Sequence, residues 1–164
     1  MRATTRIPGV IIRPMQIEDY EQVSSLWNGA REVRVYTSDS RRLIERFLGL
    51  NSDTSFVADA EGQIVGTILG GFDGRRGYIY HLVVESAQRG RNIGSALLEK
   101  TMVAMEKKSV DKIHIFVPIH NNRHTLAFWE SHGWRTRSDL QMMSLTLGGS
   151  GLLTPTVRPK KPGA

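Results

Sequence analysis

Arg89-Gly90-Arg91-Asn92-Ile93-Gly94 is the stretch that decides the fold, because it stands between an apolar run, Ile79 to Val84, and a helix-like run, Ile93 to Lys107. In the second run Ile93, Leu97, Leu98, Thr101, Ala104 and Met105 fall on one helical face, and Lys107 and Lys108 suit its negative end. A strand that turns through small residues into a helix leaves several backbone N–H groups unpaired and aimed at one spot, where the helix dipole adds partial positive charge. Gly90 and Gly94 carry no side chain that would hold a ligand away from the backbone. Arg89 and Arg91 add fork-shaped, always charged partners for a phosphoryl oxygen. The turn therefore predicts a site for a phosphorylated cofactor. It is neither the dinucleotide pattern G-x-G-x-x-G nor a P-loop ending in Gly-Lys-Ser/Thr.

Around this turn the hydrophobic pattern gives an ordered set of elements. Met1 to Gly9 reads as a flexible leader, and Val10 to Ile12 as a short strand ended by Pro14. Ile17, Tyr20, Val23 and Trp27 recur at helical spacing behind Glu18 and Asp19, which suit a helix N-terminus. Leu43, Ile44, Phe47 and Leu48 mark a second helix, with Ser38, Asp39 or Ser40 as candidate N-caps. Thr54 to Asp59, Gln63 to Phe72 and Gly77 to Val84, joined by short loops rich in Gly and Asp, predict an antiparallel meander. After the central helix, alternation of Ile113, Ile115 and Val117 with Lys112, His114 and Phe116 predicts a fifth strand. It must run parallel to the fourth, because a helix connects them. A last helix spans about Asn122 to His132 and stops at Gly133, and Leu140 to Leu147 is expected to supply the final sheet material. From Gly148 to Ala164 the composition is that of a linker followed by a flexible basic tail.

Two motifs in this order carry a resemblance to a known family. Arg89 to Gly94 resembles the pyrophosphate loop Arg/Gln-x-x-Gly-x-Gly/Ala of the GNAT superfamily of N-acetyltransferases, with Asn92 where that family usually has glycine. Asn tolerates positive φ better than most residues, so the backbone still makes the turn. Asn122 to Trp134 resembles the second GNAT signature, Asn-x-x-x-x-Ala-x-Tyr-Glu-x-x-Gly-Phe, and Gly70 to Gly77 resembles the hairpin of a small bacterial branch. The resemblance covers about Ile11 to Leu147. It implies an α/β (α+β) GNAT fold over residues 10–147: a mixed central sheet of six to seven strands, four helices, and strands four and five parallel and splayed.

It also implies acetyl-CoA as cosubstrate, and an amine of a small molecule or a protein as acceptor. Main-chain groups of Leu82, Val83 and Val84 would hold the pantetheine, with Val84 polarising the thioester carbonyl. Arg89, Gly90, Arg91, Asn92, Ile93, Gly94 and Ser95 would hold the diphosphate, and Asn122 and Trp129 would complete the cofactor site. A lysine-like amine has a pKa near 10.4, so it must lose a proton before it attacks. No Asp or Glu occupies the family's usual base position, so a direct carboxylate base is absent, and a water chain through Tyr78, Tyr80 or His81 is the expected proton path. Trp129 stands where many relatives have the tyrosine that protonates the leaving thiolate, and an indole N–H is no usable acid. Ser131 and His132 are the candidate substitutes for that acid.

Composition narrows the alternatives. The 164 residues suit one domain, and the absence of cysteine excludes disulfides, thiol catalysis and thiolate metal ligation. The five histidines have no metal-ligand spacing, so no metal is expected, and no apolar run reaches membrane-spanning length. With no signal-peptide pattern, a cytoplasmic location is the expectation. Half of the net charge of +6 comes from Arg158, Lys160 and Lys161 in the tail, which ranks a nucleic-acid-binding module last. An acyl-CoA sensor without catalysis, motivated by Trp129 and the missing carboxylate, stands between. Dimers are common in the superfamily, and the sequence leaves a homodimer open.

Overall fold

The computed structural model describes residues 7–30, 33–118 and 123–145. Five strands, β1 (Ile11–Pro14), β2 (Phe56–Ala60), β3 (Gln63–Phe72), β4 (Gly77–Val84) and β5 (Ile113–Ile115), form one sheet in the order β1-β2-β3-β4-β5. The first four are antiparallel neighbours, and β4 pairs β5 in parallel. The helices are α1 (Tyr20–Gly29), α2 (Arg41–Asn51), α3 (Ile93–Lys107) and α4 (Arg123–Ser131). The residues divide into two compact units, Met1–Ala127, which holds the sheet, and Phe128–Ala164.

One face of the sheet is covered by α1 and α2, whose Val23, Trp27, Ile44 and Leu48 pack with Val57, Leu69 and Val83 from β2, β3 and β4. On the α3 side Leu97 and Leu98 are fully buried, each contributing about 1.5–3 kcal/mol of burial energy. That close fit depends on a side chain being absent from β3. A Cβ at Gly70 would lie 2.3 Å from the Thr54 carbonyl oxygen and 2.9 Å from Thr101 Cγ2. Thr54 Oγ1 instead donates to Gly70 O at 2.5 Å, and Ser55 Oγ accepts from Gly70 N–H at 3.2 Å.

The fold departs from the sequence reading at both ends of the chain. The sheet has five strands among the described residues rather than six to seven. Residues 140–145, expected as sheet material, form no strand, and Leu140, Met142, Met143 and Leu145 are exposed. Alternating hydrophobicity suits a strand, but a strand exists only where a neighbour accepts its backbone bonds. At the other end Ile7 and Val10 bridge across a turn at Pro8-Gly9, with Ile7 buried, so the last part of the expected leader is ordered. Residues 1–6 and the tail 148–164 lie outside the described residues. Among the described residues no helix is long and apolar enough to cross a membrane.

Candidate active site

The site is built on β4, where the strand is irregular in two ways. Its register against β3 passes from Leu69↔Tyr80 to Thr67↔Val83, so that His81 and Leu82 together oppose Ile68. This is a bulge, and His81 takes φ +47° to make it. In a flat strand Tyr80 and His81 would point to opposite faces. The bulge turns both toward α1 and α2: Tyr80 meets the Phe47 ring edge-on at 6.1 Å, and His81 lies 4.7 Å from the Trp27 ring.

The second irregularity is on the other edge. β5 pairs β4 only from Gly77↔Ile113 to Ile79↔Ile115, while β4 runs on to Val84. Glu85 N–H donates to Val65 O at 2.9 Å, so one residue earlier the Val84 peptide groups turn away from β3, toward the edge that β5 has left. Arg89 Nε donates to the Val84 carbonyl from that side at 3.2 Å. The parallel pairing is as expected, and the ladder ends with β5 at Ile115, well before β4 does.

At the end of β4 a short 3-10 turn, Ser86–Gln88, leads into the glycine-containing turn and α3. Gly90 has φ +79° and Asn92 φ +63°, so Asn92 makes the left-handed step that glycine makes elsewhere. Ala96 N–H donates to Asn92 O at 3.0 Å, closing the first turn of the helix. Among the described residues the N–H groups of Gly90, Arg91, Asn92, Ile93 and Gly94 have no hydrogen-bond partner. Ser95 has one. The Arg91 guanidinium is turned back onto Gln88 Oε1 and, at 2.7 Å, onto Pro8 O. It would exchange those bonds to reach a phosphate.

On the face of α1 and α2, His81 Nε2 is 2.8 Å from Asp39 Oδ1. Asp39 sits in the 3-10 turn Thr37–Asp39 that precedes α2, and its Oδ2 accepts from Tyr36 N–H at 2.7 Å. Tyr20 OH donates to the Asp39 carbonyl at 2.9 Å, fixing that turn against α1. Burial by itself pushes the Asp39 carboxyl up, but the bonds from His81 and Tyr36 N–H outweigh it and hold the group below the usual carboxylate range. Tyr78 and Tyr80 stack at 6.2 Å, and Tyr78 continues to His114 at 5.7 Å. Burial foremost, then the neighbouring Tyr78 and Asp73, push the Tyr80 hydroxyl up, so it is protonated at neutral pH.

The fold thus stacks Tyr78 on Tyr80, sets His81 against Trp27, and places Val84, Arg89 and the Gly90–Gly94 amides along one end of β4. A cleft of about 570 Å³ between α1 and that end of β4 is lined by Val83, Val84 and Arg89 together with Gln22, Ser25 and Leu26. Trp129 packs between Phe128 and Trp134 at 5.2 and 5.0 Å and is buried in the second unit. Ser131 Oγ donates to Phe128 O at 2.7 Å, and His132 Nδ1 lies 2.7 Å from the same oxygen. Asn122 lies outside the described residues. The residue that sequence reading missed is Asp39, which had been weighed only as an N-cap. No sequence spacing links it to His81, 42 positions away. Among the described residues no three His, Asp or Glu side chains converge as a metal ion requires.

A mixed sheet whose fourth strand bulges and parts from the fifth before a glycine-containing helix start defines an acyltransferase fold, and comparison with known proteins agrees. The model of the acetyltransferase (GNAT) family matches residues 20–134, and the chain belongs to this family. An acetyltransferase of Pectobacterium atrosepticum is 36% identical over 111 residues, 68% of this chain and 78% of the relative. The structure of an acetyltransferase from Streptococcus agalactiae is similar with a TM-score of 0.70 at 18% identity, covering 85% of this chain and 92% of that one. A predicted acetyltransferase from Clostridium acetobutylicum, solved with acetyl-CoA, has a TM-score of 0.64 at 15% identity, covering 82% of this chain and 96% of that one.

Proposed function

We propose that this chain transfers the acetyl group of acetyl-CoA to a primary amine by direct attack, without a covalent enzyme intermediate. The observation that carries the reading is the row of unpartnered amides from Gly90 to Gly94 at the start of a 15-residue helix, a short turn after the end of β4 that β5 leaves open on one edge. N–H groups at a helix start without protein partners point toward one spot, and a diphosphate satisfies several at once at the positive end of the dipole. Arg89 lies beside them, and the Asn92 backbone conformation fits that use. Val84 N–H, turned from β3, is the donor for the thioester oxygen. A single preorganised donor to a developing oxyanion is worth about 3 kcal/mol in acyl-transfer sites. Because it is a backbone group, side-chain substitution leaves it in place.

The acceptor amine would approach from the face of α1 and α2, where Tyr78, Tyr80 and His81 lie. Deprotonation falls to His81, since Tyr80 is held protonated. Trp129 supplies no proton to the departing thiolate. That loss need not stop turnover, because an alkyl thiol of pKa near 8.5 leaves well as the anion.

Two measurements test this reading. Acetyl-CoA at about 100 times its dissociation constant adds about 2.7 kcal/mol, a rise in Tm of roughly 5–10 °C for a protein of this size. The double variant Arg89→Ala with Arg91→Ala loses most of that rise; an unchanged rise places the diphosphate elsewhere. Thiol release from acetyl-CoA with a panel comprising a polyamine, an amino sugar, a peptide α-amine and lysine identifies the acceptor class. A stabilised protein that releases no thiol with any of them would be an acyl-CoA sensor.

A further inference from the structure

We propose that Asp39 is a positioning residue for the acetyl-transfer reaction: it holds His81 in the tautomer with the proton on Nε2, leaving Nδ1 as the atom that takes the proton of the incoming amine. This deepens the reading above and rests on it. Four observations meet at the pair. The Nε2–Oδ1 distance is 2.8 Å, and the two side chains are only 14% and 10% exposed, so water competes weakly for the bond. The carboxylate is itself held by Tyr36 N–H at 2.7 Å, and its turn is held by Tyr20 OH at 2.9 Å. Trp27, fully buried, lies against the imidazole and limits its rotation. The backbone at His81 occupies the left-handed region, an arrangement that a plain packing role does not require and that brings the ring to the same face as Tyr80.

The chemistry follows from the two ring nitrogens. A neutral imidazole has one donor and one acceptor, and the bond made by one nitrogen fixes the role of the other. A carboxylate can only accept, so Nε2 carries the proton and Nδ1 presents its lone pair. Among the described residues Asp39 is the charged group in contact with the ring, Trp27 covers it from α1, and Nδ1 has no partner. The alkylammonium gives one proton to Nδ1, and the freed nitrogen pair forms the new C–N bond at the thioester carbon. The C–S bond breaks and its electron pair leaves on sulfur. The second proton lost from nitrogen balances the one the thiolate takes up, so the net reaction releases one proton, which His81 passes to solvent.

The test begins with wild-type thiol release from acetyl-CoA, using the best amine of the panel. Asp39→Asn, whose amide can donate to Nε2 and so select the other tautomer, should lower kcat by roughly 10²–10⁴-fold while the KM for acetyl-CoA changes little. Asp39→Glu should recover part of the loss. In parallel, long-range ¹H–¹⁵N NMR of the wild-type protein reads the tautomer without any substitution, and the neutral His81 ring should carry its proton on Nε2. An active wild type whose Asp39→Asn variant stays within twofold, or whose neutral His81 is protonated on Nδ1, overturns the assignment and leaves the acetyltransferase reading standing. An inactive wild type overturns both. Should Asp39→Asn fail to fold, the wild-type tautomer decides.

Discussion

At His81 a side chain, a backbone angle and a distant carboxylate act together. A non-glycine residue at φ +47° carries strain of about 1–3 kcal/mol, and the bond to Asp39 and the Trp27 contact are what hold it there. The sequence could nominate His81, because a neutral histidine beside a proposed acyl-transfer site is a natural proton acceptor. It could not supply Asp39, since a contact across 42 positions depends on how a turn before α2 meets a bulge on β4. A second carboxylate behaves similarly. Arg13 binds Asp19 through both terminal nitrogens at 2.8 Å and Asp59 through Nε at 2.9 Å. Burial raises the Asp19 carboxyl, but Arg13 and Gln16 N–H outweigh it, so its folded pKa, like that of Asp39, is depressed. A depressed carboxylate contributes stability above the unfolded pKa of about 3.9 and loses it as pH falls through the folded value. The urea midpoint should therefore hold steady from pH 7 to 5 and fall steeply below about pH 4, with a shallower fall in Asp19→Asn.

At the scale of elements the sequence was most legible where a periodic run ended in a strong signal. β3, β4 and α3 lie where the pattern placed them, bounded by Asp73-Gly74 and by the Arg89–Gly94 turn. The helix stop at Gly133 is also as read: it takes φ +84°, and Trp134 N–H closes on Trp129 O at 3.1 Å. Pattern failed where pairing decides. The alternation through Val117 predicted a longer fifth strand, but its ladder ends at Ile115, and Leu140 to Leu145 has the alphabet of a strand without a ladder. The β3 glycines make a sharper prediction. Gly70→Ala forces a methyl group to 2.3 Å from the Thr54 carbonyl, a backbone atom that cannot swing aside. It should cost about 3 kcal/mol or more, read as a fall in the urea midpoint at unchanged m-value. Gly49→Ala, where a Cβ meets nothing within 4 Å, should be neutral or stabilising.

Across the whole molecule the proposed reaction draws on three separate stretches: the turn before α2 brings Asp39, the middle of β4 brings Tyr80 and His81, and the junction of β4 with α3 brings Val84 and the open amides. None of the three is a site alone. The excess positive charge is consistent with a polyanionic ligand, and Arg89 and Arg91 lie at the junction rather than in the tail. The central claim is that the α3 start and the end of β4 bind acetyl-CoA by main-chain N–H groups, and amide hydrogen exchange reads those groups directly. Compared with the free protein, acetyl-CoA should slow exchange at Gly90 to Gly94 and at Val84 by at least tenfold, with little change along β1 and β2. Protection that leaves the Gly90–Gly94 amides as fast as in the free protein, while slowing another part of the chain, would contradict it.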